Sequence, residues 1–406
     1  MTLALLALAA LAPSDVIDVG AGGTYPDIQS AVLAATDGDV LRVAPGEYDS
    51  FAVFDKWLTI VPSNGSFSVR GVVRVQELSL GKSFVMQGAE LLQDPLNYGE
   101  ERLILGFNEG SVRLESVHAR QTDSVGPYPW LDGTRPARIV DCRDVSLVDC
   151  VFGPVTGVDP SLEYFDGGGG MAIIDSTVAM FGCTVDAEHA PYDAGIHCTR
   201  SELLGVGLDV SGSSGGFSAP GGGFGLSCEG DPHGGSWGVF LDADSSMTRV
   251  GGTIDGGTDG YDYCNNVPYP ARPPFGGTGA LVEIDGEPLL LTAPPVAVDG
   301  STASVTVRGG ADDLVFLVMG PFAWRRDLPG FVGDLLLGGP AGSVQRFVLG
   351  TGSTLNGQVQ LPTVAPFEID ALHLQAAHVR PDATAPGGSR ILFGPPRVVT
   401  ILDAAW

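Results

Sequence analysis

The apolar positions of this chain change period early. Ile28, Val32 and Ala35 recur at helical spacing, with Thr24 as a candidate N-cap and Pro26 in the tolerant first turn, which predicts one short helix. The period then shortens. Val40, Leu41 and Val43 form a brief apolar strand ending at Pro45-Gly46, and Trp57 to Val61 forms another ending at Pro62 and Asn64-Gly65. Phe67 to Gln87 continues with alternation at Val73 and Val75, then at Leu78 and Leu80. Strands this short cannot bury an apolar face alone, so the pattern requires stacking partners further along the chain.

A repeat supplies them. Val112, Leu114 and Val117 are matched by Val145, Leu147 and Cys150, and again by Val178, Met180 and Cys183, at two successive intervals of 33 residues. A further copy fits at Ser201, Leu203 and Val206, and Val239 to Ile254 reads as a degenerate member. The apolar ladder repeats while the polar material between copies varies, as in stacked coils that expel their insertions on one side. The expelled segments are Thr122 to Pro136, Gly153 to Gly170, Asp186 to Gly195, Ser211 to Gly223 and Cys228 to Gly238. From about Leu289 the ladder gives way to alternating strands separated by Gly, Pro and Ser turns, which predicts a small β-sandwich. The expected organisation is residues 1–14 as the remnant of a secretory signal, 15–288 as the repeat body and 289–406 as the sandwich-like domain.

Charge narrows the partners. Lys plus Arg is 21 against 48 for Asp plus Glu, a formal charge of −27, and Lys56 and Lys82 are the only lysines. Such a surface repels nucleic acid and anionic membrane. Met1 to Ala12 is apolar and ends in small residues like a secretory signal, but is too short to cross a bilayer, so a secreted or cell-surface chain without a transmembrane segment is expected. Cys142, Cys150, Cys183, Cys198, Cys228 and Cys264 contain no close CxxC spacing. In an exported chain they favour disulfides, with buried thiols and, after them, a metal role as the alternatives.

The stretch GGTYPDIQSAVLAATDGDVLRVAPGEYDSFAVFDKWLTI carries a resemblance. With its helix, Gly38-Asp39, the corner Pro45 to Tyr48 and the strand Lys56 to Ile60, it resembles the beginning of a right-handed parallel β-helix of the pectin lyase-like superfamily, of the secreted bacterial, planctomycete-like type. The implied fold is all-β: a right-handed parallel β-helix with a short N-terminal capping helix, followed by a small C-terminal β-sandwich. The family includes polysaccharide lyases, glycoside hydrolases, epimerases and esterases, together with adhesins and non-catalytic members. The tandem aspartates and Gly-His-Gly segment of its hydrolases are missing here, and the RPAR at Arg135 to Arg138 matches only part of the arginine-proline segment of pectate lyases.

The central acidic segment supplies candidate chemistry. A lyase needs a base and a cation beside the developing charge, for which Arg138, Arg200 and His197 are the candidates, with Asp175, Asp186 and Glu188 holding Ca2+. A hydrolase needs two opposed carboxylates, for which Asp186 and Asp193 are available. Trp130, Tyr128, Tyr164 and His189 lie in expelled segments and are candidates for binding an extracellular polysaccharide or another cell-surface component. Each has a competing structural role: His197 lies beside Cys198 in an apolar run, and Asp141, Asp149 and Asp175 fit corner positions. Three function classes follow: a secreted structural or interaction protein, a calcium-assisted polysaccharide lyase or glycoside hydrolase, and a non-catalytic carbohydrate-binding or adhesion module.

Overall fold

The computed structural model describes residues 15–94, 101–121, 135–154, 170–187, 194–213, 217–220, 228–229, 235–262, 267–294, 296–310, 314–320, 331–332, 343–348, 353–362, 369–381 and 389–402. The helix spans Ile28–Ala34 and buries Ile28, Ala31 and Val32. Its N-cap is Asp27, not Thr24: the Asp27 carboxylate accepts the Ser30 N–H at 2.7 Å, and that bond holds the carboxyl below its ordinary range. At the other end Lys56 Nζ donates to the carbonyls of Leu33 at 3.1 Å and Ala35 at 2.6 Å, placing a cation on the negative end of the helix.

Each circuit of the chain after this helix adds strands to three walls, and every wall is parallel. The first wall runs from Val16–Val19 through Val40–Val43, Leu58–Pro62 and Ser83–Gln87, and finishes at Ser246–Val250 and Ala280–Ile284. The second includes Met171–Ile174, Ile196–Thr199, Val239–Leu241 and Phe275–Gly277. The third includes Ala89–Leu92, His118–Gln121, Val151–Pro154, Thr184–Asp186 and Asp209–Ser211. The repeat read from the sequence is a register of direct neighbours: Val112 pairs with Val145 and Val145 with Val178, while Leu114 pairs with Leu147 and Leu147 with Met180. All of these residues are buried in one continuous core.

The walls join without a break. The 22 strands belong to one sheet, the main part of which curls through 335° as a near-closed barrel of 13 parallel strands. This corrects the expectation of an open right-handed β-helix solenoid with a capping helix, and with it the assignment to the pectin lyase-like superfamily; the all-β class stands. The physical reason lies at the corners, whose bend an apolar pattern does not encode. Glu77, Phe107, Asp141, Asp175 and Arg200, at φ between 47° and 61°, stack at one corner, and Ser116 and Asp149, both at 51°, stack with Gly182 and Gly207 at another. A single left-handed residue turns the strand while leaving its neighbours hydrogen-bonded, at a strain that Asp and Gly bear better than most residues.

The disulfide expectation is also corrected. Cys142, Cys150, Cys183 and Cys198 are free and buried, and the Cys228 and Cys264 side chains lie outside those described. These four thiols serve packing. Cys150 and Cys183 occupy successive inward positions and point at the carbonyls of Leu114 and Leu147, 3.5 and 3.4 Å away. Burial pushes the Cys198 thiol up to about 12, which leaves it protonated and unreactive.

Beyond Ile284 a three-stranded sheet, Leu290–Thr292, Thr302–Arg308 and Thr354–Gln360, shares a second core with a six-stranded sheet built on Ile369–Pro381 and Ser389–Leu402. The pairing there is not wholly antiparallel, because Val296–Val298 runs parallel to Ser389–Leu402. A third apolar cluster joins the outer face of the first wall to these sheets through Val148, Phe181, Val206, Val250 and Leu392.

Candidate functional site

Strand alternation decides which candidates reach solvent. Ile196 and Cys198 point into the barrel core, so His197 between them points outward. Its register partner on the next strand is Phe240, and the two rings meet edge to face with centroids 5.1 Å apart. Asp242 follows that strand, held by its backbone N–H donating to the Cys198 carbonyl at 3.0 Å. The Thr199 hydroxyl donates to Asp242 Oδ2 at 2.8 Å, and His197 Nε2 lies 3.7 Å from the same oxygen. Imidazole and carboxylate are both part exposed, with side-chain exposures of 31% and 40%. Both side chains thus reach the surface in part, while His197 Nε2, the atom that faces Asp242, is buried.

An aromatic floor extends from this pair. Trp237 lies 4.9 Å from Phe240, and the Arg272 guanidinium sits 4.6 Å over the indole. Gly276 pairs with Phe240, and any Cβ there would stand 2.5 Å from Trp237 Cδ1, so the indole occupies the space that glycine leaves. Asp242, Thr199, Phe240, Trp237 and Arg272 were not singled out from the sequence. The signal was present in the matched alternation of IHCT and VFLD, which puts His197 and Phe240 on one face.

The other candidates are dispersed. Arg138 shares the outward line of His197, with Ala172 between them in register, a separation of roughly 10 Å from two strand spacings. Its Nε contacts Glu101 at 3.1 Å. Arg200 and Asp175 sit at successive corners in a two-pronged pair, Nε to Oδ1 at 2.6 Å, and the guanidinium holds the Asp175 carboxyl below its ordinary range. Asp186 belongs to the third wall and accepts the Ser211 hydroxyl at 2.8 Å. Tyr128, Trp130, Tyr164, Glu188, His189 and Asp193 lie outside the described residues.

Among the described residues no group of three or more His, Cys, Asp or Glu side chains is placed to hold a metal ion, and Asp175 is already engaged by arginine. The calcium-assisted lyase is corrected on that ground. The glycoside hydrolase, the structural or interaction role and the carbohydrate-binding or adhesion module were inferred from the β-helix, and they fall with it. No described helix is long and apolar enough to cross a membrane. Comparison with protein-family models, curated proteins and solved structures gives no match for this chain.

Proposed function

We propose that the chain is an enzyme that transfers protons at His197, acting on a substrate laid against the outer face of the second wall. One observation supports the reading: a part-exposed imidazole stands beside a carboxylate that a threonine hydroxyl and a strand register hold in place. A carboxylate beside an imidazole orients the ring and balances the charge it gains, and an apo separation of 3.7 Å is compatible with closure on substrate. Hydrolysis of an ester is the simplest chemistry available to the pair. His197 takes a proton from water, the water oxygen bonds to the acyl carbon, and the imidazolium returns the proton to the departing alkoxide as the ester bond breaks. Phe240 and Trp237 offer the apolar part of such a substrate a surface next to the base.

The test is turnover of a panel of nitrophenyl esters by the full chain and by His197→Gln and Asp242→Asn. A general base contributes about 100-fold or more, so His197→Gln should lose that factor with an unchanged melting temperature. The carboxylate variant should lose less. The reading is wrong if the wild type turns over no ester, or if His197→Gln matches it.

A further inference from the structure

The aromatic floor beside His197 has charges of opposite sign at its two ends. Asp242 stands next to the imidazole, and the Arg272 guanidinium lies over the indole at the far end. Strand order sets the length between them. His197, Phe240 and Gly276 are successive register neighbours, so the Gly276 position, where the indole lodges, is two strand spacings or roughly 10 Å from His197. Trp237 and Phe240 are both half-buried.

Arg272 is held from two sides. Its backbone is pinned: a Cβ on Gly256 would stand 1.8 Å from the Arg272 carbonyl oxygen, and the Arg272 N–H donates to the Gly257 carbonyl at 3.3 Å. The neighbouring Ala271 N–H donates to Asp259 Oδ1 at 2.6 Å. Its side chain is exposed, and the indole beneath offers it a face rather than an acceptor. On a chain with a formal charge of −27, other arginines of the walls hold carboxylates: Arg42 holds Asp18, Arg70 holds Glu47, Arg200 holds Asp175 and Arg249 holds Glu283. Among the described residues no carboxylate forms an ion pair with Arg272.

We propose that Arg272 anchors a carboxylate of the substrate. Given hydrolysis at His197 as proposed above, the substrate class is then the ester of an amphipathic acid: its charged end sits at Arg272, and its apolar middle crosses Trp237 and Phe240 to an ester group at His197. A planar guanidinium meets both oxygens of one carboxylate through parallel N–H bonds, and stacking on the indole leaves its edge open to make them. One positive charge matches a carboxylate, whereas a phosphate dianion calls for more cations than this end of the floor holds. Direction follows from Asp242. A substrate turned end for end would set carboxylate against carboxylate, so the two charges admit one orientation.

The experiment compares turnover of the nitrophenyl half-ester of octanedioic acid with that of nitrophenyl octanoate, which ends in a methyl group instead of a carboxylate. Alongside it, calorimetry compares binding of octanoate and octanamide. With the full chain the half-ester should have the higher kcat/KM by about tenfold, an advantage that falls as salt rises and that Arg272→Met removes. Octanoate should bind about tenfold more tightly than octanamide, again only while Arg272 is present. Binding and turnover fail separately. If the chain turns over no ester but binds octanoate through Arg272, the anchor stands and hydrolysis at His197 alone is refuted. Equal binding of octanoate and octanamide overturns the anchor, as does an advantage for the half-ester that salt and Arg272→Met leave intact.

Discussion

The corner between the second and first walls contains a ladder of buried side chains that makes a sharp prediction. Asn108, Cys142, Ser176, Ser201 and Ser245 are all buried and stand one circuit apart. Each accepts a hydrogen bond from the preceding circuit: Asn108 Oδ1 from the Leu78 N–H at 3.0 Å, Ser176 Oγ from Cys142 at 3.0 Å, Ser201 Oγ from Ser176 at 3.1 Å and Ser245 Oγ from Ser201 at 3.2 Å. Cys142 takes a serine's place, with Sγ accepting Asn108 Nδ2 at 3.4 Å and pointing back to the Val140 carbonyl. Ser201→Ala leaves the Ser176 N–H buried without its acceptor, which costs about 2 kcal/mol. Cys142→Ala should cost less, about 1 kcal/mol, because Asn108 Nδ2 keeps the Val75 carbonyl at 3.0 Å. Ser201→Cys should recover part of the loss by restoring a weak acceptor. Urea unfolding followed by tryptophan fluorescence measures the order. The reasoning is refuted if Ser201→Ala lies within about 0.5 kcal/mol of wild type, or if it costs no more than Cys142→Ala.

Leu147→Ala removes an inward side chain held between Leu114 and Met180 on parallel neighbours that cannot close the gap, so a loss of about 3 kcal/mol is expected in the same urea assay. Arg200→Ala breaks an exposed pair and should leave the melting temperature essentially unchanged, a result that thermal unfolding at low and high salt would check. Stability should fall with pH through the window from His373's ordinary value of about 6.5 to its folded value of about 3, because the unfolded chain binds that proton first. The slope ceiling is about 1.4 kcal/mol per pH unit, and His373→Gln should flatten the profile.

Inward positions were legible in the sequence because inward packing has a period. Ile28, Val32 and the Val112, Val145 and Val178 series were readable as buried, and they are buried. The N-cap was misplaced by three residues because both Thr24 and Asp27 have capping side chains, and only the backbone path selects one. Cysteines misled for a related reason: an apolar inward slot and a corner acceptor can each be filled by a thiol, so pairing in space does not follow from composition. Outward chemistry was less legible. His197 read as part of an apolar run, although alternation alone turns it to solvent; its partner Asp242 is 45 positions further on and meets it only through strand register.

The C-terminal sheets cover a stripe of the first wall on which Gln87, Glu115, Val148, Phe181, Val206 and Val250 follow one another in register, and Arg397 reaches its polar end, bonded to Asp149 and 3.7 Å from Glu115. The apolar end of the stripe supplies the attraction, since burying a side chain of the size of Phe181, Val206 or Val250 contributes about 1.5–3 kcal/mol each. The charged end adds little net stability, because desolvating Arg397, Arg113 and Glu115 offsets their attraction. What it supplies is position. A slip of one strand, roughly 4.8 Å, would carry Arg397 from Glu115 toward Val148, whose side chain offers no acceptor. The apolar end would tolerate that slip, as Val148, Phe181 and Val206 present similar surfaces, but the guanidinium would lose Glu115 and its present fit to Asp149. An apolar contact alone would thus permit several alignments of the C-terminal sheets along the wall, and the Arg397 cluster selects one of them.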